Sequence, residues 1–243
     1  MSNTTQPPIR RFGEAAYIAG IVLCALGVCI SAKSGLGVSH IVAPAFVLSS
    51  YLEPAAPFFT FGFAEYVVQA ALLLTLALLL KRITVSYPLA FVTAVIYGFT
   101  LDAWRLLFGT EPVQELYMQI IFMFAGALVT DFSIALMLRS YLPQQAYDFT
   151  VKEISTVKGY NLTKVKWIYD VSSLSAAVIL MLALFGRFDF SLIGPGTLII
   201  AAINAPLIGI FGKICDRFID FSPLFPGFAS KVFKVDTGGR PAR

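Results

Sequence analysis

The sequence predicts an all-α polytopic membrane protein with six transmembrane helices. Only 13% of its 243 residues are charged, whereas soluble domains carry about 25%. Hydrophobic residues make up 58% of the chain, and the mean hydropathy is +0.79. The apolar residues lie in runs of about 18 or more, the length at which a helix can cross a bilayer.

Six such runs follow one another along the chain. We expect the first to be retained as a span and not cleaved as a secretory signal, because it is long for a signal core and Glu14 interrupts its start. A broken stretch, residues 35–50, follows it and contains a Gly-x-Gly pair and Pro44. The predicted spans cover residues 14–33, 60–80, 87–108, 112–138, 165–185 and 193–214.

The only long polar connection, between spans 4 and 5, predicts a short amphipathic helix at the membrane interface. Val151, Ile154 and Val157 recur at helical spacing, with charged residues on the other face. We expect this helix to end at Gly159. Asn161 is then placed to cap the next helix.

The basic residues predict that both termini are cytoplasmic. Fifteen of the 18 lysines and arginines fall on the side of the N-terminus, and only Lys33, Arg105 and Arg187 fall on the other. The basic residues flank spans and do not form one soluble patch, and no nucleic-acid motif is present. We therefore expect a multi-pass protein whose partner is the lipid bilayer, with no nucleic acid bound.

Weak internal similarity predicts that the chain contains a duplication. The first aligned pair of stretches brings His40 opposite Asp131, and Glu65 has a near counterpart in Asp170. The aligned stretches are residues 35–54 with 126–143 and residues 86–98 with 193–205.

A duplicated unit of three spans must be inserted in opposite directions, because three is odd. We therefore expect one membrane domain with a 3+3 inverted repeat: repeat one over about 14–108, repeat two over about 112–214, and a cytoplasmic tail over about 215–243. In such folds substrate sites lie near the midplane, at broken helical segments. We expect His40 and Asp131 to occupy equivalent places in the two halves, each at a helix break, and to help line a central site.

Three short motifs carry a resemblance to a known group. They are Gly-Leu-Gly at 35–37, Gly126 with Thr130-Asp131, and Ile-Gly-Pro-Gly-Thr at 193–197. Over most of residues 14–215 the chain resembles the YczE/YyaS/YitT-like bacterial integral membrane proteins. Where those proteins often have Gly-Pro-x-Asp, this chain has Gly-Val-Ser-His at 37–40. The resemblance implies a fold and a bacterial inner (plasma) membrane location, and no settled activity.

Ionisable side chains within the spans predict a binding site, since a charge at mid-bilayer costs about 2.5–3.5 kcal/mol on insertion scales. His40, the only histidine, lies beside a backbone break that could bind a ligand or an ion. The alternative is a hydrogen-bonded histidine near the outer surface. Asp131 is the strongest candidate, and its alternative is an ion pair with a lysine or Arg139.

Other polar residues have both site and structural explanations. Glu65, with Gln69 one turn later, could instead form a polar patch at the outer interface, and Asp170 could simply reach the cytoplasmic headgroups. Asp102 and Arg105, three residues apart, are expected to pair with each other. The predicted substrate-binding set is His40, Asp131, Glu65, Asp170, Thr130 and Asn204.

The last span contains a second predicted break at Asn204-Ala205-Pro206, because proline removes a backbone hydrogen bond and clashes with the preceding turn. Ala201, Ala205 and Gly209 form a stripe of small residues there. Such a stripe allows another helix to approach closely.

Catalytic and metal-binding motifs do not appear in the sequence. There is no nucleophile elbow, HExxH, P-loop or Rossmann fingerprint, so we do not expect an enzyme. Cys24, Cys29 and Cys215 lack the spacing of a metal site, so we expect no metal and no cofactor.

Two functions fit these observations. The first is a permease or exporter for a small molecule, passive or ion-coupled, with a central site where the repeats meet. The second is a binding or regulatory subunit that transports nothing and acts with a partner protein. The sequence also allows a homo-oligomer.

Overall fold

The computed structural model describes residues 12–225 together with residues 227, 230 and 233. Within them the chain forms eight α-helices and no β-strand, and six of the helices are long and apolar enough to cross a membrane. The all-α polytopic prediction is confirmed. The helices are α1 (Gly13–Lys33), α2 (Ala43–Leu52), α3 (Phe61–Leu80), α4 (Ser86–Phe108), α5 (Leu116–Arg139), α6 (Ala146–Lys158), α7 (Leu162–Phe185) and α8 (Pro195–Phe218).

The six predicted spans correspond to α1, α3, α4, α5, α7 and α8. The fourth begins at Leu116, four residues later than predicted. The fifth begins at Leu162, because the Asn161 side chain accepts a hydrogen bond from Lys164 N (3.2 Å) and caps the helix. The last continues to Phe218, so residues 215–218 belong to α8 and not to the tail. Six of the basic residues predicted to be cytoplasmic lie outside the described residues: Arg10, Arg11, Lys231, Lys234, Arg240 and Arg243.

The spanning helices alternate in direction, which gives the bundle two faces. The terminal face carries the start of α1 and the segment after α8, where Gly13 N donates to Ser222 O (3.2 Å). The opposite face carries the end of α1 and the segment before α5, where Val113 N donates to Lys33 O (3.0 Å). Both described ends therefore lie at one face, and its cytoplasmic location stays a prediction.

The centre of the bundle is the crossing of α1 and α5. A Cβ atom on Gly27 would lie 2.6 Å from Thr130 N and 2.8 Å from Gly126 O. A Cβ atom on Gly126 would lie 2.6 Å from Ser31 N and 2.7 Å from Gly27 O. Gly27 thus packs against Gly126 and Thr130, and Gly126 packs against Gly27 and Ser31. These contacts bring the two helix backbones together.

The predicted break after α1 is a re-entrant segment, residues 34–60, that enters from the opposite face. Its tip, His40, reaches Asp170 in the half of α7 nearer the terminal face (Nε2 to Oδ1, 3.2 Å). The chain then returns through α2 to Glu53, which pairs with Arg105 near the end of α4 (3.0 Å). The segment therefore enters and leaves at the same face without crossing the bundle.

The predicted amphipathic helix is confirmed as α6, but its interfacial location is wrong for its first half. The helix ends at Gly159, which has a φ of +69°. Residues 149–151 are buried, and Ala146 N donates to Gln69 Oε1 (3.1 Å) inside the bundle. Residues 140–161 thus form a second re-entrant segment that enters from the terminal face. Tertiary contacts, which periodicity does not reveal, draw it inward.

The contacts of the first four helices largely correspond to those of the last four. α1 packs on α4 as α5 packs on α8, and α2 and α6 each contact α3 and α7. Two contacts have no counterpart. α6 lies against α4, whereas no Cα atom of α2 lies within 8 Å of a Cα atom of α8. α3 packs along α4, whereas no Cα atom of α7 lies within 8 Å of a Cα atom of α8, all of these helices being described in full.

α3 and α4 are tied together at the opposite face. A Cβ atom on Gly98 would lie 2.5 Å from Gly62 O, so the two backbones touch. Asp102 accepts hydrogen bonds from Gly62 N (2.9 Å) and from Thr60 Oγ1 (2.5 Å) at the start of α3. The predicted pair of Asp102 with Arg105 is present at 3.9 Å, although each residue has a closer partner.

The prediction that Asp131 and Asn204 lie at helix breaks is wrong. α5 runs unbroken from Leu116 to Arg139, with Asp131 in its second half. α8 continues through Pro206, since a long helix can lose one backbone hydrogen bond and kink without ending. Of the predicted breaks, the one at His40 is present.

The α1–α5 crossing predicts a specific intolerance to a methyl group. Gly27→Ala should lower the stability of the folded protein by about 1–3 kcal/mol, the usual cost of overpacking a close contact. Thermal unfolding of the purified protein in detergent measures it. Gly209→Ala is the matched control, because its Cβ atom would meet no atom within 4 Å. Equal unfolding temperatures for the two variants would contradict the described crossing.

Candidate functional site

A cavity of about 430 Å³ opens between α6, α7 and α8. One wall is apolar and comes from α5 and α8, including Ile134, Leu138, Ala205 and Ile208. This volume lies within the range of about 300–1,000 Å³ that is usual for small-molecule sites. The polar wall contains His40, Gln144, Asp148, Lys152, Lys166 and Asp170.

The polar wall is organised around one lysine and two carboxylates. Lys166 Nζ lies 3.1 Å from Asp170 Oδ1 and 3.9 Å from Asp148 Oδ1. His40 Nε2 lies 3.2 Å from the same Asp170 oxygen, outside hydrogen-bond geometry, and neither ring nitrogen of this buried side chain has a hydrogen-bond partner. Among the described residues no group of three His, Cys, Asp or Glu side chains is placed to hold a metal ion.

The first re-entrant segment, residues 34–60, is fixed at both its tip and its base. At the tip, Ser173 Oγ donates to the carbonyl oxygen of His40 (2.9 Å). At the base, Gly196 N at the start of α8 donates to Leu36 O (3.0 Å). Gly37 has a φ of +95°, and a Cβ atom there would lie 2.6 Å from Gly194 N, so glycine is required. These contacts join the polar wall to α8 at the opposite face.

Asp131 lies behind the cavity wall and is fully buried. With its amide nitrogen facing the carboxylate, Asn204 donates to both Asp131 oxygens (2.6 and 3.2 Å), and Asn204 itself lines the cavity. The alternative of an ion pair with Arg139 is wrong, because Arg139 pairs with Asp216 (2.6 Å). The structure thus connects Asp131 to the cavity through Asn204.

Glu65 and Thr130 lie outside the cavity. Glu65 is fully buried, which excludes the interfacial patch, and it accepts hydrogen bonds from Tyr147 Oη (2.8 Å) and Gln69 Nε2 (3.2 Å). Because these contacts meet the first turn of α6, Glu65 fixes that re-entrant helix. Thr130 packs against Gly27 at the α1–α5 crossing.

Three of the six predicted site residues, His40, Asp170 and Asn204, therefore line one cavity. Sequence reasoning missed Asp148 and Lys166, which belong to the polar connection and the start of α7. The spacing of Lys166 and Asp170 is i, i+4, typical of a helical ion pair, and it was the available signal. The alternative for Asp170, contact with headgroups alone, does not fit its pairing with His40 and Lys166.

The fold and the cavity define a class: a multi-pass, all-α membrane protein with a charged cavity between its helices. The chain belongs to a family of unknown function, DUF6198, whose family model matches residues 10–213. No curated protein and no solved structure matches the chain. The resemblance to the YczE/YyaS/YitT-like proteins stays a prediction.

Asp148 predicts a pH-dependent stability. Burial raises its pKa, and the neighbouring Lys166 ammonium offsets only part of that effect. Because the ionised carboxylate is disfavoured in the folded state, Asp148 lowers stability once the pH exceeds its unfolded pKa of about 3.9. Asp148→Asn should therefore raise the unfolding temperature at pH 7.5, and this gain should shrink toward pH 4.

Asp189, in the α7–α8 connection, is a control of opposite sign. Hydrogen bonds from Ser191 Oγ (2.6 Å) and Ser191 N (2.9 Å) lower its pKa. Its ionised form therefore stabilises the fold above the unfolded pKa, and this contribution is lost as the pH falls through the folded pKa. Asp189→Asn should lower the unfolding temperature at pH 7.5. An Asp148→Asn gain that is as large at pH 4 as at pH 7.5 would contradict the burial argument.

Proposed function

We propose that the protein is a small-molecule permease built from two inverted repeats, with the α6–α7–α8 cavity as its substrate site. One observation carries the proposal: α3 is closed against α4, whereas α7 stands apart from α8 and leaves the cavity between them. Two corresponding helix pairs, one closed and one open, are what alternating access requires of an inverted repeat.

The two re-entrant segments support the duplication. They enter from opposite faces, and each begins its helix beside the partner half. Ala146, the first residue of α6, bonds Gln69 of α3, and the approach to α2 meets Asp170 of α7. Gln69 and Asp170 each lie eight residues after the first residue of their helix. The reciprocal glycine contact of α1 with α5 is a further correspondence between the halves.

The gap between α7 and α8 presents a surface suited to closure. Ala201 and Ala205, two members of the small-residue stripe, line the cavity. In the first half, α3 and α4 are already in contact at the corresponding place, where Gly62 packs against Gly98. In the proposed cycle α7 closes on the stripe while α3 separates from α4, which exposes the site to the opposite face.

The described state is open toward the terminal face, which is predicted to be cytoplasmic. Next to the cavity lies a void of about 30 Å³ that includes Ser39 and Thr130 in its lining. A separate vestibule of about 190 Å³, lined by Lys33 and Arg105 among others, lies at the opposite face. The packed residues of the first re-entrant segment lie between the cavity and the vestibule, so no continuous path joins the two faces in this state.

A cross-link between α3 and α4 tests the proposal. Tyr66 and Phe99 face each other with ring centroids 6.2 Å apart, so Tyr66→Cys and Phe99→Cys can be joined by a short bis-maleimide in a variant without the native cysteines. A thermal-shift screen of metabolites first identifies a ligand, because a ligand at 100 times its Kd raises the free energy of unfolding by about 2.7 kcal/mol. Flux is then measured in proteoliposomes containing the purified protein alone.

We expect the cross-linked protein to bind the ligand with unchanged affinity and to lose nearly all flux. The same double variant without the linker is the control and should transport normally. Binding without flux in the uncross-linked protein would overturn the permease and favour the alternative, a binding or regulatory subunit. Full flux through the cross-linked protein would overturn alternation at α3 and α4.

A further inference from the structure

Two lysines and two aspartates line the polar wall, but only one lysine ammonium lies within 4 Å of the carboxylates. Asp148 and Asp170 share one ammonium, that of Lys166, at 3.9 and 3.1 Å. Lys152 also lines the cavity, but its side chain is exposed on α6 and the structure gives it no ion pair with either carboxylate. The cluster of Asp148, Asp170 and Lys166 therefore has two carboxylates and one ammonium, so it is one positive charge short unless His40 is protonated.

We propose that the cavity binds an organic ammonium: a protonated amine attached to an apolar body. The ammonium takes the position beside Asp148, Asp170 and His40, where it supplies the missing positive charge. That this ligand is also the transported substrate rests on the proposed function. The binding itself does not.

His40 gives the second, independent reason for a ligand here. The residue is 4% exposed and its side chain lines the cavity, yet Nδ1 has no hydrogen-bond partner, and Nε2 has only the Asp170 carboxylate, 3.2 Å away and outside hydrogen-bond geometry. Buried polar atoms without partners are rare, because the loss of hydration is not repaid. An ammonium has N–H groups to donate both to an unprotonated ring nitrogen and to a carboxylate.

The apolar wall determines the rest of the ligand. Ile134 and Leu138 of α5 and Ala205 and Ile208 of α8 offer hydrocarbon surface and no charge. A ligand with its cation on one wall buries an apolar chain or ring on the other, which favours binding in proportion to the buried area. An anionic head would lie beside two carboxylates and would be repelled.

The same ammonium chemistry could come from two sources. A free amine could enter from the terminal face, and an aminophospholipid headgroup could enter through the gap between α7 and α8. Competition by phosphatidylethanolamine against a free amine in mixed micelles would identify the headgroup as a source. Lack of competition would leave the free amine, and either result keeps the ammonium.

A matched ligand series on the wild-type protein tests the inference. The probes are 4-phenylbutylamine, 4-phenylbutanol and 4-phenylbutyrate, which share an apolar body and differ in the charge of the head. Equilibrium dialysis in detergent, with protein-free micelles as the blank, gives the affinities. We expect the amine to bind about tenfold or more tightly than the alcohol, since hydrogen bonds to charged groups are the strong ones, and the acid to bind weakest.

Two variants locate the site. Asp170→Asn should weaken amine binding about tenfold and narrow the difference between amine and alcohol. Asp189 is a carboxylate at the opposite face, so Asp189→Asn should leave the affinities for the amine and the alcohol unchanged. The wild-type series remains decisive even where Asp170→Asn fails to fold.

Each outcome has one meaning. Equal binding of the three probes, or preference for the acid, overturns the ammonium site. Amine binding without flux in proteoliposomes keeps the site and overturns the permease. Flux of another ligand with no amine binding keeps the permease and overturns the ammonium.

Discussion

Two helices that begin inside the bundle, α2 and α6, set the constraint on which the remaining structure depends. A helix start carries unpaired N–H groups, and these are costly away from water. At α6, Gln69 of α3 accepts a hydrogen bond from the backbone N–H of Ala146. Glu65 of α3 holds the same turn by accepting from the Tyr147 side-chain Oη. At the other helix, Ser173 and Asp170 of α7 hold the tip that precedes α2. Each re-entrant helix is therefore held by side chains of the opposite half.

The two docking sites are alike in position and different in chemistry. Around Gln69 the side chains are buried and closely packed, and α3 remains against α4. Around Asp170 the side chains are charged, the wall is partly open, and α7 stands apart from α8. A cavity lined by two carboxylates, two lysines and a buried histidine whose ring makes no hydrogen bond is a poor way to stabilise a fold. This difference is the physical reason to assign function to the second half.

The sequence predicted what local chemistry determines. Apolar run length predicted the six spans, left-handed Gly159 ended α6, and Asn161 capped α7. The rule that intramembrane ionisable groups mark sites found His40 and Asp170. Asp148 was missed because it lies in a polar connection whose depth depends on tertiary contacts. The match of His40 with Asp131 differs from the helix contacts: α1 meets α5 through Gly27 and Gly126, so in the proposed repeat Asp131 corresponds to a residue in α1.

The central claim is that the pairs α3–α4 and α7–α8 open reciprocally. Spin labels on exposed residues, Ile168 with Ile210 across the gap and Val67 with Phe99 across the closed pair, report both distances by pulsed electron resonance in lipid nanodiscs. We expect two populations, and conditions that shorten the α7–α8 distance should lengthen the α3–α4 distance. A single unchanging distance for both pairs, or changes in the same direction, would contradict alternating access.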